Sequence, residues 1–178
     1  MSKAFTRESD DESEFPAARP SSSLPPGTPN YLTPDGAERI RAELARLVEV
    51  ERPARLGSPG NAGDRSRVAA LDQRILQLQE TLQTAVVPSP PDPGDTRLRF
   101  GQWGHVRRGG GETVWYRIVG VDEMDVDRGW VSWLSPIARA LVNRTPGDRV
   151  QFRFPSGQEE LELLEVRTQA PACEGGGL

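Results

Sequence analysis

Cysteine and histidine are nearly missing from this chain: its 178 residues include one of each, Cys173 and His105. One cysteine excludes an internal disulfide and a cysteine-based zinc site, and fits a reducing cytoplasm. His105 lies in a strand pattern, with no second histidine and no Ser or Cys nucleophile that the sequence assigns to it. It is read as a surface or packing residue. No apolar run approaches the ~20 residues needed to span a membrane. An excess of basic charge is also lacking, because 26 acidic residues face 22 basic ones for a net charge of -4. Long-range attraction of the whole molecule to nucleic acid is therefore not expected, and any such contact must be local. The opening MSKAFTRESDDESE carries acids where a signal peptide carries an apolar stretch, so export is unsupported and a cytoplasmic location is expected. The length leaves room for one compact domain with an appendage or for two small domains, and not for a large enzyme core.

What is present changes character along the chain. Residues 1–29 are rich in Ser, Pro, Asp and Glu and read as a disordered tail, whose acidic run is solvated chain more readily than a metal site. At YLTPDGAERIRAELARL, Thr33 suits an N-cap, Pro34 the first helical position and Asp35 the positive end of the helix dipole. Ala37, Ile40, Leu44 and Leu47 then form a narrow stripe, the seam of a coiled coil. Pro53 is expected to bend or end this helix, and Gly57 and Gly60 to finish it. Leu71, Ile75, Leu78, Leu82 and Ala85 make a second stripe. The two stripes predict an antiparallel hairpin over 30–86 that projects into solvent, with GSPGNAGDRSR at its tip.

Residues 87–96 form a proline-rich linker. From Arg97 the apolar period becomes two: RLRFGQWGHVRR, ETVWYRIVGV, GWVSWL, DRVQFRF and ELELLEV read as strands, with tight turns at GGG (109–111) and PSG (155–157). Between the third and fourth strands, Ser135 caps and Pro136 starts a short helix whose apolar face is Ile137, Ala140 and Leu141. An antiparallel sheet over 97–167 with one helix against it makes the chain α+β, and 168–178 is a loose tail.

The order of these parts, and the local words YLTPDGAERIRAEL, ERP, GDRS and SPIARAL followed by GD and SG turns, resemble the GreA/GreB family of bacterial transcript cleavage factors over about residues 30–167. GDRS and ERP are closer to the GreB branch. The resemblance implies an FKBP-like C-terminal domain that grips the rim of the secondary channel of RNA polymerase, and a coiled coil that enters the channel. It also implies two acids at the hairpin tip that help to hold a catalytic Mg2+ ion in the polymerase, near the RNA 3′ end, with no cofactor or metal of the factor's own. The factor is expected to be an accessory and not itself an enzyme, and to act as a monomer with no membrane partner. Ser135, Pro136 and Arg139 are the residues expected at the polymerase rim.

Two departures from the family pattern matter. The GreB-like tip reads Gly-Asp-Arg-Ser-Glu, whereas this chain has Gly63-Asp64-Arg65-Ser66-Arg67. Asp64 matches one acid, and Arg67 puts a permanent cation where the second should be. The arms are also shorter than the family pattern by roughly seven residues each, which at about 1.5 Å per residue removes on the order of 10 Å of reach. Metal coordination tolerates errors of only a few tenths of an ångström. Cleavage in the standard form is therefore not expected, and occupation of the channel in competition with other channel-binding factors is the alternative.

Other residues admit two readings. Asp64 is either the tip carboxylate or an ordinary turn or cap residue. Arg52, Arg55 and Arg65 are candidates for contact with RNA, with Arg39, Arg41 and Arg46 on the same arm, but Glu38, Glu43, Glu49 and Glu51 interleave and favour a solvated helix with weak ion pairs. DEMDVDRG (122–129) has nearly calcium-like spacing without the later glutamate, and reads better as a charged connection. RRGGGE has no following helix to bind phosphate and reads as a turn. Trp103, Trp115, Trp130 and Trp133 suit a small core better than a base-stacking surface. A prolyl isomerase, the other activity that an FKBP-like domain allows, lacks an obvious aromatic pocket in the strands.

Overall fold

The computed structural model describes residues 24–56, 62–154 and 157–171. The expected helix stop at Gly57 and Gly60, most of the N-terminal tail, Pro155 and Ser156 of the second turn, and residues 172–178 lie outside these. After the short strand β1 (Asn30–Tyr31), α1 (Pro34–Arg46) begins as its capping chemistry dictates. Thr33 is extended, its hydroxyl accepts the Gly36 N–H at 3.0 Å, and Pro34 leads the first turn.

Pro53 does not stop this helix. The chain widens into a π-turn over Leu47–Glu51 and continues as α2 (Arg52–Leu56). A proline ring crowds the carbonyl four residues earlier, here Glu49, and the wide turn falls at that place. It also lets Arg46 reach Glu51 at 2.6 Å, a pairing of residues five apart. α3 (Ala62–Thr84) returns against α1. Leu47, Leu71, Ile75 and Leu78 are buried in the seam, with Ile40 and Leu44 packed beside them, as the two stripes require. Arg52–Asp72 at 2.7 Å and Arg74–Glu43 at 2.9 Å tie its flanks. The second stripe is shorter than expected, because Ala85 has left the helix. It belongs to β2 (Ala85–Val86), which pairs in parallel with β1 and closes the hairpin at its base.

The second half is a five-stranded sheet in the order β5-β4-β3-β7-β6, built from β3 (Trp103–Arg108), β4 (Thr113–Val119), β5 (Trp130–Ser132), β6 (Arg149–Phe154) and β7 (Gly157–Arg167). It is mixed and not purely antiparallel as expected, since β5 runs parallel to β4. The connection from 120 to 129 crosses back before re-entering the sheet, and period-two patterning carries no information on strand direction. The first expected strand is also shorter, starting at Trp103; residues 97–102 are irregular, although Leu98 is fully buried. α4 (Pro136–Leu141) packs with Ala138 and Leu141 completely buried, joining Val106, Ile118, Leu161 and Leu163 in the main core. Ile137 and Ala140 are only partly buried against it, and Ala138 was not in the expected face.

The two halves meet on one carboxylate. Glu123, with its side chain 2% exposed, accepts the Thr33 N–H at 2.8 Å, the Thr33 hydroxyl at 2.5 Å, the Gly120 N–H at 3.1 Å and Arg39 Nη2 at 3.3 Å. A buried charge this well supplied with donors is stable only while all of them stay in place. Beside it, Arg117 grips Asp35 with two bonds of 2.7 and 2.9 Å, which lowers the Asp35 pKa. The approach is close enough to require glycine: a Cβ on Gly36 would lie 1.9 Å from Glu123 Oε1, and one on Gly120 would lie 2.1 Å from the Tyr31 carbonyl oxygen.

Two outcomes follow from this junction. Gly120→Ala must push the Tyr31 backbone away and is expected to cost about 1–3 kcal/mol in urea unfolding; Gly94→Ala, which meets nothing within 4 Å, is the neutral control. Burial raises the Asp122 pKa, while Thr81 and Arg74 oppose that shift and Glu123 adds to it. A raised carboxyl pKa means that ionised Asp122 weakens the fold at neutral pH and that protonation on acidification relieves the cost. Asp122→Asn is therefore expected to raise the melting temperature at pH 7.5, with the gain shrinking towards pH 4 in parallel melts. An undiminished gain at pH 4 would contradict this.

Candidate functional site

The far end of the hairpin carries the first group of candidates. α3 begins at Ala62, so Asp64, Arg65 and Arg67 stand on its opening turns and not in the connecting turn. Asp64 there faces the positive end of the helix dipole, as an acid near a helix start should. Arg67 Nη1 lies 4.0 Å from Asp64 Oδ1, with the two side chains 55% and 33% exposed. This is a loose, screened pair of the kind worth less than about 1 kcal/mol. It nonetheless sets a cation against the one matching carboxylate.

Asp64 and Arg67 line a cleft of about 330 Å³ between the arms together with Val50, Glu51, Ala54 and Arg55. Arg55 thus joins Asp64, whereas Arg52 is bound to Asp72 on the flank, and Arg65 is exposed. Glu51 is the residue that sequence reasoning missed here, having been counted among the solvated acids. The π-turn brings it into the cleft while Arg46 holds it. The only available signal was the Pro53 that follows.

The second group sits on α4. The Ser135 hydroxyl accepts the Ala138 N–H at 3.2 Å, so it caps the helix. Pro136 and Arg139 are exposed beside it. Arg139 also borders a cavity of about 270 Å³ with Tyr31, Phe100, Trp133, Val142 and Asn143. Tyr31 packs edge-on to Trp133 at 5.0 Å between ring centres and lies 5.7 Å from Phe100. The strand pattern alone shows no aromatic pocket; this one forms where the start of the hairpin meets the sheet domain, a junction that strand patterning does not reveal.

The remaining candidates resolve into structure. Trp103 and Trp130 are buried under the Arg117 guanidinium, 5.9 and 5.2 Å from their ring centres. His105 stacks on Trp115 at 4.5 Å across neighbouring strands. In DEMDVDRG, Asp122 and Glu123 serve the junction and Asp125 pairs with Arg128 at 3.3 Å. RRGGGE is the turn between β3 and β4, with the Arg108 N–H donating to the Glu112 carbonyl at 2.8 Å.

Comparison with known proteins places this architecture. The family model for the C-terminal part of GreA/GreB transcription elongation factors matches residues 94–168. Transcription elongation factor GreB of Neisseria meningitidis serogroup A is 38% identical over 154 residues, covering 78% of this chain and 94% of that protein. Transcription elongation factor GreA of Alkalilimnicola ehrlichii is 37% identical over 151 residues, covering 76% and 96%. Among solved structures, the GreA factor homolog 1 (Gfh1) of Thermus thermophilus matches 79% of this chain and 99% of its own with 22% identity and a TM-score of 0.37. The shared sequence runs through both the hairpin and the sheet domain, and on that ground the chain belongs to the GreA/GreB family of transcription elongation factors.

Proposed function

We propose that this chain binds RNA polymerase as a monomer, with its FKBP-like sheet domain on the rim of the secondary channel and its hairpin in the channel, and that it regulates transcription by occupancy and not by stimulating RNA cleavage. Ser135, Pro136 and Arg139 form the docking face, and Arg52, Arg55 and Arg65 are the cations that run closest to the RNA 3′ end.

The observation that carries the loss of cleavage is the Asp64–Arg67 pair. Recruitment of a polymerase-bound Mg2+ needs a carboxylate free to coordinate a hard cation. Here the single matching acid has a guanidinium 4.0 Å away, and the second acid is absent. Shortened arms act in the same direction. The alignment to the Neisseria GreB spans 154 positions but only 78% of this 178-residue chain, so part of the relative has no counterpart here.

The test is a stalled, backtracked elongation complex. Added alone, the protein is expected to leave the RNA at full length, and added in excess it should slow cleavage stimulated by a standard GreB. Efficient RNA shortening by this chain, abolished in Asp64→Ala, would refute the reading. Arg67→Glu restores charge without restoring reach and is expected to remain inactive in the same assay. Cleavage gained by that single change would mean that reach is adequate.

A further inference from the structure

The cavity at the junction of hairpin and sheet is a poor small-molecule site but a good receptor for one aromatic side chain. At about 270 Å³ it is below the ~300–1,000 Å³ typical of ligand pockets. Its walls are aromatic, from Tyr31, Phe100 and Trp133, and Trp133 keeps its indole Nε1 buried without an acceptor among the described residues. A buried donor left unmet costs about 1–3 kcal/mol. The charge at its lip is only partly compensated. Arg139 has no ion pair among the described residues, and Arg144, just past the end of α4, bonds the Ala140 carbonyl at 3.4 Å and lies near enough to Asp148 to attract its carboxylate. Elsewhere on the sheet domain, Arg99, Arg107, Arg108 and Arg117 all have carboxylate partners within 3 Å. An aromatic slot edged by an unpaired arginine calls for an acidic segment with an aromatic anchor.

The chain supplies such a segment itself. Residues 10–15 read Asp-Asp-Glu-Ser-Glu-Phe, four acids and a phenylalanine. The described chain begins at Leu24, shortly before Tyr31, which forms one wall of the cavity. At up to ~3.3 Å per residue, the chain from Phe15 to Tyr31 is ample to turn back on that cavity. We infer that the acidic segment 10–15 docks in cis on this cavity, with Phe15 between Tyr31, Phe100 and Trp133 and the acids against Arg139 and Arg144. The contact is intramolecular, so its effective concentration is high and modest contacts suffice. Because Arg139 also belongs to the face assigned above to polymerase, the tail would cover part of that face. This consequence rests on the proposed function; the docking itself does not.

The test uses the full chain labelled with 5-fluorotryptophan and contains no polymerase, so its failure is distinct from failure of the polymerase reading. The Trp133 fluorine resonance is assigned through Trp133→Phe. A tail variant carrying Phe15→Ala, Asp10→Asn, Asp11→Asn, Glu12→Gln and Glu14→Gln is expected to shift the Trp133 resonance while leaving that of buried Trp103 in place. Arg139→Glu with the native tail should shift Trp133 in the same direction, and tenfold dilution of the native chain should not move it. An unchanged Trp133 resonance in the tail variant would overturn the inference. A dilution-dependent resonance would overturn the cis arrangement in favour of a second copy of the chain.

Discussion

One buried carboxylate holds the two halves of this molecule in register. Glu123 lies in a short turn of the sheet domain, yet its oxygens satisfy the N-cap backbone of the first hairpin helix and hold the hydroxyl that caps it. A hairpin attached by apolar contact alone could slide or pivot. One attached through directional hydrogen bonds to a buried carboxylate cannot do so without leaving that group's demand unmet, a cost of about 1–3 kcal/mol or more. Gly36 and Gly120 permit the close approach, and the Asp35–Arg117 pair braces it from the rim.

Fixing the base fixes where the far end of the hairpin can go. A helix rises about 1.5 Å per residue, so a tip held at its root could not make up the proposed shortfall of several residues by leaning. The chemistry of the tip agrees with its geometry. Asp64 opens α3 beside Arg67, and Glu51 is turned into the same cleft only to be held by Arg46. Each acid of the cleft thus has a guanidinium beside it, an arrangement that suits a stable helical end more than recruitment of a divalent cation. Membership of a family of elongation factors is compatible with the proposed loss of cleavage, because the proposed docking residues on α4 and the tip residues on α3 lie on different parts of the chain.

Features written in neighbouring residues were legible in the sequence. Thr33 with Pro34 and Ser135 with Pro136 mark helix starts through local hydrogen bonds, and the Leu71, Ile75 and Leu78 stripe announces its own burial. Features that depend on distant partners were not. Nothing near Glu123 indicates that it will bond a residue ninety positions earlier, and DEMDVDRG reads as a charged connection for that reason. Strand direction was equally hidden, because alternation in Trp130–Ser132 is the same whether β5 runs parallel or antiparallel to β4. At Pro53, where a bend or an end is expected, the helix continues through a π-turn, since a proline inside a helix can be accommodated by widening the turn ahead of it. At the candidate site the identities of Asp64 and Arg67 were plain from the tip word, whereas the approach of Glu51 and the aromatic cavity beside Arg139 required the folded chain.

The central claim, that a firmly rooted and shortened hairpin leaves its carboxylate out of reach, is a statement about distance. Cryo-electron microscopy of the full chain bound to a backtracked elongation complex measures it directly. The account predicts the sheet domain on the channel rim, with the Asp64 carboxylate on the order of 10 Å short of the active-site Mg2+. Asp64 within the ~2.1 Å of direct Mg2+ coordination would contradict it.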